Sequence, residues 1–343
     1  MINLYGLTLT KLEALMIEEG QSKYRAKQLY TWMYEKQVTD FDLMSDISKK
    51  FIAVLKEKYC FEKPTIYTKQ VSKDGTIKLL LEMNDGAKVE TVLMHYNYGN
   101  VACVSSQVGC NMGCAFCASG LLKKQRDLLP EEMVGEILVL NDLLKEENKR
   151  VSHVVVMGTG EPFDNYDNVL DFVRIINDQK ALAIGARHIT VSTCGIPDKI
   201  IKYSQEGLQI NLAISLHAPN DELRNKLMPV NRAYPLKELI SSIVTYNINA
   251  DRRVTFEYIL LKGVNDSLQH ADELATLIRP VFAYVNLIPY NEVDENGFHR
   301  SDNVKAFMDR LMKRGVNATI RKEFGTDIDA ACGQLRAKKE KEK

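Results

Sequence analysis

The stretch Cys110-Asn-Met-Gly-Cys114-Ala-Phe-Cys117 places three cysteines in one short segment with the spacing C-x3-C-x2-C. Iron–sulfur cubanes are held by cysteine thiolates, usually four of them. No fourth cysteine follows nearby, so three thiolates would leave one iron open, and an open metal position is where a substrate is bound and activated. The spacing therefore predicts a [4Fe-4S] cluster with one iron available to a ligand.

Two other interpretations of these cysteines need to be weighed. Structural zinc sites usually combine a C-x2-C pair with a second such pair or with histidines, and the chain has no second pair. Three buried, unpaired thiols are a poor core pattern, because Gly109 and Gly113 lie beside and between them. The spacing favours the cluster over both.

The chain beyond residue 100 predicts the fold around this stretch. Apolar, β-rich runs alternate with helical segments, which indicates parallel β/α units buried on both faces. About six such units would form a partial (β/α)6 TIM-like barrel, an α/β fold whose chemistry lies at the C-terminal ends of the strands. The cysteine stretch directly follows the first of these strands. The predicted strands cover 101–104, 154–156, 189–191, 210–214, 254–260, 285–288 and 318–320, and the helices include 131–144, 169–176 and 271–277.

Residues 1–75 are predicted to form a small helical accessory domain. The first helix begins after Thr8 or Thr10, the second covers 23–34 and the third 47–59. Basic side chains interleaved with aromatic ones can grip RNA phosphates and stack on bases. A solvated face above core aromatics is an equally good interpretation. The residues concerned are Lys23, Tyr24, Arg25, Lys27, Tyr30, Lys49 and Lys50.

A linking β-hairpin is predicted over residues 76–98. Strands over 77–83 and 88–94 flank the turn sequence Asn84-Asp85-Gly86-Ala87, in which asparagine, aspartate and glycine favour a tight reversal. The core domain then covers 99–336, and a charged tail covers 337–343.

Polar residues follow several of the predicted barrel strands. Gly160 and Glu161 come after the second strand, where glycine lets the backbone approach a ligand and a carboxylate can accept from an ammonium group. Ser192 follows the third strand. Each signal alone is weak and typical of a turn or cap, but a shared position at one end of the barrel predicts that all face one pocket. The others are Ser215, Leu216 and His217 after the fourth strand and Asn291 after the sixth.

Composition limits the class of protein. The 343 residues carry 45 basic and 45 acidic side chains, so a globally basic nucleic-acid binder is not indicated. Seven unevenly spaced cysteines do not suggest a disulfide framework and fit a reducing compartment. The N-terminus lacks a signal-peptide pattern, and no apolar run is long enough to span a membrane. We expect a cytoplasmic protein with no membrane partner.

Several stretches together resemble the RlmN/Cfr family of radical S-adenosylmethionine (SAM) RNA methyltransferases, and the likeness extends from the N-terminal helices to Leu335. The stretch Gly160-Glu161-Pro162 is similar to the RlmN branch, since the Cfr branch has alanine after the glutamate. The stretches are Glu90-Thr-Val, Cys103-Val-Ser-Ser-Gln-Val-Gly-Cys110, Gly160-Glu-Pro-Phe-Asp-Asn, Arg187-His-Ile-Thr-Val-Ser-Thr, Ser215-Leu-His-Ala-Pro-Asn, Leu227-Met-Pro-Val-Asn, Asn286-Leu-Ile-Pro and Asp327-Ile-Asp-Ala-Ala-Cys-Gly-Gln-Leu.

The resemblance implies a reaction and a role for each residue. Two SAM molecules would be used per turnover: the first would methylate Cys332, and the second would supply a radical that activates this methyl group for addition to carbon-2 of an adenine. Cys103 would resolve the adduct through a transient disulfide with Cys332, and Glu90 would take the carbon-2 proton. Cys110, Cys114 and Cys117 would bind the [4Fe-4S] cluster, and Gly160, Glu161, Ser192, Ser215, Leu216, His217 and Asn291 would line the SAM site.

The leading hypothesis is therefore methylation of carbon-2 of an adenine in 23S rRNA and in a set of tRNAs. The resemblance also implies a low-potential electron donor such as flavodoxin or ferredoxin, and we expect a monomer. Cfr-type methylation at carbon-8 is the alternative within the same fold. An alternative from another class is a non-catalytic, metal-stabilised RNA-binding protein, which would hold zinc and no methyl group on Cys332.

Overall fold

The computed structural model describes residues 1–293, 296–328, 330 and 334, and its first sixty residues form a helical unit closed by two paired strands. Strand β1 (Ile2–Asn3) runs parallel to β2 (Tyr59–Cys60). Between them lie α1 (Leu9–Glu18), α2 (Tyr24–Tyr30) with a π-helical continuation (Thr31–Glu35), and α3 (Lys49–Lys58). Thr8 caps α1, because its side-chain oxygen accepts from the backbone N–H of Lys11 (3.3 Å).

The aromatic residues of this unit divide between core and surface. Tyr30 is completely buried and its hydroxyl donates to Leu7 O (2.6 Å), so it does not belong to an exposed basic face. Tyr24 is 65% exposed, and Lys23, Lys27 and Lys49 are exposed as well. Only part of the predicted mixture of basic and aromatic side chains is therefore available to a ligand.

One ten-stranded sheet forms the centre of the molecule, in the order β14-β13-β12-β11-β10-β9-β6-β5-β4-β3. Its parallel strands confirm the predicted α/β barrel series, and the predicted hairpin is present as β4 and β5. The antiparallel part is β3 (Thr65–Val71), β4 (Ile77–Glu82), β5 (Lys88–Tyr96) and β6 (Gly99–Val104), and the parallel part continues from β6 through β9 (Val151–Val156), β10 (Ile189–Thr193), β11 (Asn211–Ser215), β12 (Val254–Leu260), β13 (Ala283–Pro289) and β14 (Ala318–Ile320). A short ribbon of β7 (Gln107–Val108) and β8 (Arg126–Asp127) lies beside the sheet.

Strand β3 is an element that the sequence did not reveal. Most of its residues are exposed on both faces, so it lacks the alternation of apolar and polar residues that marks a half-buried strand. It pairs with β4, and it therefore belongs to the large sheet although it falls within the first 75 residues.

Helices connect the parallel strands and cover the sheet, as parallel β/α units require. They are α4 (Pro130–Leu144), α5 (Tyr166–Asn177), α6 (Pro197–Ser204), α7 (Asp221–Leu227), α8 (Leu236–Ala250), α9 (Leu268–Leu277) and α10 (Val304–Lys313). The helical unit shares one hydrophobic core with these helices, and Lys11 of α1 forms an ion pair with Asp171 of α5. None of the helices in the described ranges is long and apolar enough to cross a membrane.

The sheet is open between its edge strands β3 and β14, and a contact that we call the C-terminal clip spans this gap. The clip consists of Ser72 and Asp74 in the β3–β4 turn, and Gly325 and Asp327 beyond β14. The Asp74 carboxylate accepts from Gly325 N (2.9 Å), and Ser72 donates to Asp327. Gly325 has a φ of +59°, and a Cβ there would lie 2.7 Å from the Cβ of Ala330. The segment after β14 is thus fixed against the turn between β3 and β4.

Candidate active site

The cysteine stretch forms a loop between β6 and α4 that its own backbone holds in shape. Cys110 N donates to Leu122 O (2.9 Å), and Cys117 N donates to Cys114 O (3.1 Å). Gly120 must be glycine here, because a Cβ would lie 2.8 Å from Cys114 O. The loop can therefore present its thiols from a defined backbone.

A cavity of about 140 Å³ lies at the C-terminal ends of the parallel strands, and the three cysteines line it. Among the predicted SAM-site residues, Leu216 is completely buried and outside the lining, and Asn291 lines a separate small cavity. The predicted residues that do line the cysteine cavity are Cys110, Cys114, Cys117, Gly160, Glu161, Ser192, Ser215 and His217. The position of the cavity agrees with the rule that barrel chemistry lies at this end of the strands.

Two thiols of the loop, those of Cys110 and Cys114, favour the protonated form in this arrangement. Burial raises the pKa of Cys110 to about 11 and holds that of Cys114 well above its usual value. No three His, Cys, Asp or Glu side chains within the described ranges stand together as a ready-made metal-binding set. Metal binding must therefore release protons and draw the sulfur atoms together, as is general for thiolate sites.

The Gly160-Glu161 segment after β9 lies against the start of the cysteine loop. Gly160 has a φ of +114°, and a Cβ there would be 2.7 Å from both Ser106 Oγ and Gln107 Cβ. The buried Glu161 carboxylate accepts from Phe163 N (2.9 Å) and Cys194 N (2.7 Å). Burial raises its pKa. Glycine is thus required for close packing, and the carboxylate is fixed by backbone donors.

His217 adopts a left-handed backbone conformation that is unusual outside glycine, with φ +57°. Its Nδ1 accepts from Ile259 N (3.0 Å). Burial, together with the charge of Arg224, lowers its pKa to about 3. The ring is therefore neutral, and Nε2 carries its proton.

Two charged residues in the cavity wall escaped the sequence analysis. Glu257 of β12 is buried and accepts from Asn286 Nδ2 (2.9 Å), and Arg321 Nη1 lies 3.8 Å from its Oε2. Burial raises the pKa of Glu257, while Arg321 opposes this. A glutamate inside the apolar run Val-Thr-Phe-Glu-Tyr-Ile-Leu was the available signal, because carboxylates are rarely buried without a partner.

Cys103 lies in a second environment that adjoins the first. It is 8% exposed in a small apolar cluster with Val92, Met94, Val101, Phe324 and Ala330. The small cavity that contains Asn291 is lined by Met94, Phe324 and Ala330 and shares Ile288 and Arg321 with the cysteine cavity. Cys332 lies outside the described residues, two positions after Ala330.

Glu90 shares the inward face of the sheet with Cys103. Val92 is the backbone partner of Cys103 between β5 and β6, and Glu90 precedes Val92 by two residues, so the pleat directs both side chains to the same face. Glu90 is buried, and its Oε1 lies 3.4 Å from Lys78 Nζ. It is close to the Cys103 cluster along the sheet but does not line the cysteine cavity.

The helical unit and the barrel each match a known protein family. Residues 2–61 match the family model of the ribosomal RNA large subunit methyltransferase N-terminal domain, and residues 104–275 match the radical SAM superfamily. The crystal structure of a radical SAM methyltransferase from Sphaerobacter thermophilus is 42% identical, with a TM-score of 0.92 over 98% of this chain and 100% of that one.

Curated relatives match over nearly their whole length. A protein of Spiroplasma citri named as a probable dual-specificity RNA methyltransferase RlmN is 53% identical over 99% of both chains. A protein of the same name from Streptococcus equi subsp. equi is 52% identical, covering 99% of this chain and 98% of that one. This chain therefore belongs to the RlmN family of radical SAM RNA methyltransferases.

Proposed function

We propose that this enzyme methylates carbon-2 of an adenine in 23S rRNA and in tRNAs, through a methyl group carried on Cys332. The observation that carries the proposal is the arrangement of two cysteine environments side by side. Three cysteines line a cavity that also contains the buried carboxylates of Glu161 and Glu257, while Cys103 and Ala330, the latter two residues before Cys332, are packed together in an adjoining apolar cluster. The names of the relatives support dual specificity for two kinds of RNA.

The residues of the cavity fit a [4Fe-4S] cluster and SAM. Cys110, Cys114 and Cys117 would hold the cluster by three thiolates, which leaves one iron for SAM. Gly160 allows the close backbone approach that a bound amino acid needs, and Glu161 supplies a carboxylate for its ammonium group. Bound there, the cluster and SAM supply one-electron cleavage of SAM and hence a radical. A flavodoxin or ferredoxin would provide the electron.

Cys332 and Cys103 take complementary roles. The Cys332 thiolate would attack the methyl carbon of one SAM and take its methyl group, with S-adenosylhomocysteine as the leaving group. The radical from a second SAM would then remove a hydrogen atom from the methyl group on Cys332. The resulting carbon radical would add to adenine carbon-2, and the radical adduct would lose one electron to the cluster that Cys110, Cys114 and Cys117 would hold. The Cys103 thiolate then attacks the Cys332 sulfur, the methylene leaves with the bonding pair and is protonated, and a disulfide remains for an external thiol to reduce.

Glu90 is proposed to accept the proton that leaves carbon-2. It shares the inward sheet face with Cys103, and its burial beside Lys78 keeps the carboxylate in a defined place. A general base needs this placement close to the reacting carbon. Glu90 is not simply an exposed carboxylate on the surface of a strand, because its side chain is buried.

The helical unit is proposed to help bind RNA. Lys23, Lys27 and Lys49 are exposed together with Tyr24, whereas Arg25 is tied to Asp46 O (3.0 Å). Because the unit shares the core of the barrel, deleting it would unfold more than an accessory surface. Replacing Lys23, Lys27 and Lys49 by glutamine is the cleaner test: RNA affinity and its salt dependence should both fall, with cluster content unchanged. Unaltered salt dependence would reject the role.

Cfr-type methylation at carbon-8 is the second candidate, because both reactions use the same kinds of residue. The RlmN names of the relatives and the proline after Glu161 favour carbon-2. Nucleoside mass spectrometry of rRNA and tRNA from cells with and without the gene distinguishes 2-methyladenosine from 8-methyladenosine.

The two lone cysteines give the sharpest test of the mechanism. Cys103→Ala should still load a methyl group on Cys332 and form the carbon–carbon bond, so RNA should remain covalently attached to the protein and disappear on nuclease digestion. Cys332→Ala should give no methyl carrier and no adduct. An adduct in the Cys332 variant, or free methylated RNA at a normal rate from the Cys103 variant, contradicts the mechanism.

A further inference from the structure

Arg224 in α7 is completely buried directly behind the wall of the cysteine cavity. Its guanidinium donates to three backbone carbonyls, those of Leu216 (3.1 Å), Cys194 (2.6 Å) and Ser215 (3.2 Å). The remaining bond goes to the side-chain oxygen of Asn231 (2.9 Å). All these acceptors are neutral. The three carbonyls lie at the ends of β10 and β11, where the cavity is formed.

No carboxylate of the described residues forms an ion pair with Arg224. The nearest link to one is indirect, since Asn231 Nδ2 donates to Asp221 Oδ1 (2.8 Å), which also accepts from Leu236 N (2.9 Å). Arginine does not lose its proton in proteins. Burying a charge without an opposite charge is strongly unfavourable. The fold thus holds a positive charge whose counter-charge the described chain does not supply.

The cavity that would hold the iron–sulfur cluster lies next to this charge, because Cys194 and Ser215, whose carbonyl oxygens accept from Arg224, both line it. The helix that carries Arg224 also touches the cysteine loop, because Leu227 O accepts from Ala115 N (2.9 Å). Arg224 is therefore held in a fixed position relative to the loop that would bind the metal.

We propose that Arg224 is the counter-ion of the iron–sulfur cluster, an inference that rests on the cluster of the proposed function. Three thiolates outweigh the positive charge of the oxidised core, so the loaded site is negative. It becomes more negative on taking one electron from an external low-potential donor, a step that changes no bond and moves no proton. A fixed, buried positive charge favours the more negative state. Arg224 thus raises the reduction potential, as a positioning residue that does not touch the substrate.

A structural crosslink is the competing role, because the same guanidinium ties the ends of two strands together. The counter-ion role and the crosslink role differ in whether lysine can substitute for Arg224. Lysine keeps the charge but loses the planar fork, so the counter-ion role predicts that Arg224→Lys retains the potential while Arg224→Met lowers it. A pure crosslink predicts that both variants lose stability and that neither shifts the potential of the cluster that is bound.

The test is a potentiometric titration of the reconstituted full-length protein, followed by the EPR signal of the reduced cluster. For Arg224→Met, the ratio of reduced to oxidised cluster at a fixed potential should fall at least about tenfold, equivalent to a negative shift of about 59 mV. Arg224→Lys should change this ratio less than threefold. Arg252→Met is the matched control, since Arg252 bonds Gln209 (2.9 Å) and Asn211 (2.7 Å) at the opposite end of β11 and should leave the potential unchanged.

A charge swap tests the proposal without removing Arg224, in case Arg224→Met fails to fold or to bind iron. The double variant Asp221→Asn/Asn231→Asp keeps the net charge but moves the carboxylate from the far side of residue 231 into contact with the guanidinium. The introduced carboxylate should neutralise Arg224 in place and lower the potential as Arg224→Met does. Iron and sulfide analysis accompanies each titration.

The outcomes separate this inference from the function on which it rests. If the unmodified protein binds no iron–sulfur cluster under anaerobic reconstitution, the proposed function fails. If it binds the cluster, and either the charge swap or Arg224→Met titrates at the original potential, only the counter-ion role is overturned. Equal negative shifts in Arg224→Lys and Arg224→Met would overturn it as well.

Discussion

The cysteine loop and the Cys103 cluster use the same side chain in opposite surroundings. Cys110, Cys114 and Cys117 face a cavity that also holds the carboxylates of Glu161 and Glu257. Cys103 is surrounded by apolar and aromatic side chains. Buried charged groups beside the thiols suit metal binding, because thiolates and a polar ligand must be accommodated there. An apolar setting suits a thiol that must react with one partner and exclude water.

The two regions also differ in how they are built. The loop is a local structure, held by backbone hydrogen bonds within residues 110–122. The Cys103 cluster is assembled from strands β5 and β6 and from Phe324 and Ala330, which the C-terminal clip brings across the open edge of the sheet. Substitutions can therefore disturb one region and spare the other.

The largest expected effect is on the loop side. Cys114→Ala should abolish both the iron–sulfur cluster and reductive cleavage of SAM, because two thiolates do not hold a cubane stably. Iron and sulfide content, the visible spectrum and release of 5′-deoxyadenosine measure it. Cys60→Ala, in the helical unit, is the control and should keep both. If the Cys114 variant still cleaves SAM reductively, Cys114 is not a ligand of the cluster.

Gly160→Ala should damage the cavity while leaving the Cys103 cluster intact. A methyl group there meets Ser106 and Gln107 at 2.7 Å in a backbone conformation with φ +114°, and such strain costs about 1–3 kcal/mol before the clash is counted. We expect SAM affinity to fall at least about tenfold, or about 1.4 kcal/mol, in anaerobic binding measurements.

Gly207→Ala is the control for Gly160→Ala, because it introduces the same kind of backbone strain without a steric clash of the added methyl group. Gly207 also has a positive φ (+67°), but nothing lies within 4 Å of the added Cβ. The control should lose some stability and no SAM affinity. Equal loss of SAM affinity in both variants would show that Gly160 does not act through close packing against the cysteine loop.

Glu136→Gln should stabilise the packing that lies behind both the cysteine loop and the Cys103 cluster. Glu136 of α4 is completely buried, bonded to Thr91 of β5 and to Ser105 N (3.1 Å) at the end of β6. Burial raises its pKa to about 8. Between about pH 4.5 and 8 the folded protein retains a proton that the unfolded chain releases, so the free energy of unfolding falls as pH rises through this range.

Glutamine removes this pH dependence because it stays neutral. Glu136→Gln should be more stable than the unmodified protein at pH 8, by an amount on the order of a few kcal/mol, and equal to it near pH 4.5. Denaturant unfolding across this pH range measures the difference. Glu238→Gln, an exposed carboxylate in α8, is the control; identical pH profiles for all three proteins would refute the assignment.

Asp74→Ala should give the smallest effect, confined to the Cys103 side. It removes the acceptor for Gly325 N (2.9 Å) and for Thr76 N (2.8 Å). Because Asp74 is exposed to solvent, each bond is worth no more than a typical hydrogen bond, about 0.5 kcal/mol. Amide exchange at Gly325 and Ala330 should accelerate, while iron content stays constant. Glu82→Ala, at the other end of the hairpin, is the control.

The clip should also respond to acid in a defined direction. Partial burial by itself would raise the pKa of Asp74. The hydrogen bonds from Gly325 N and Thr76 N outweigh this effect and lower the pKa to about 2. Its contribution is therefore present above about pH 4 and is lost as pH falls through about 2. Protection of Gly325 that is the same in Asp74→Ala and in the unmodified protein would show that the clip does not hold this segment.

The sequence predicted elements wherever one physical pattern dominated. Continuous apolar runs such as 254–260 became β12 because parallel strands are buried on both faces. The turn Asn84-Asp85-Gly86 produced the hairpin of β4 and β5. Strand β3 and the seven-residue α7 were missed, because an exposed edge strand and a short polar helix carry no periodic signal. The sequence analysis also did not name α6, α8 and α10 among the helices of the barrel.

For the site, the sequence by itself determined the residue types and their order: three cysteines after the first parallel strand, a glycine and a glutamate after the second, and a histidine after the fourth. Strand ends in a parallel sheet meet at one edge, so these residues converge whatever the details of packing. Only the tertiary structure decided that Asn291 joins the Cys103 side and that Glu257 and Arg321 enter the cavity wall. It alone buried Arg224 with no carboxylate of the described residues paired to it, because burial and charge pairing depend on contacts between segments far apart in the chain.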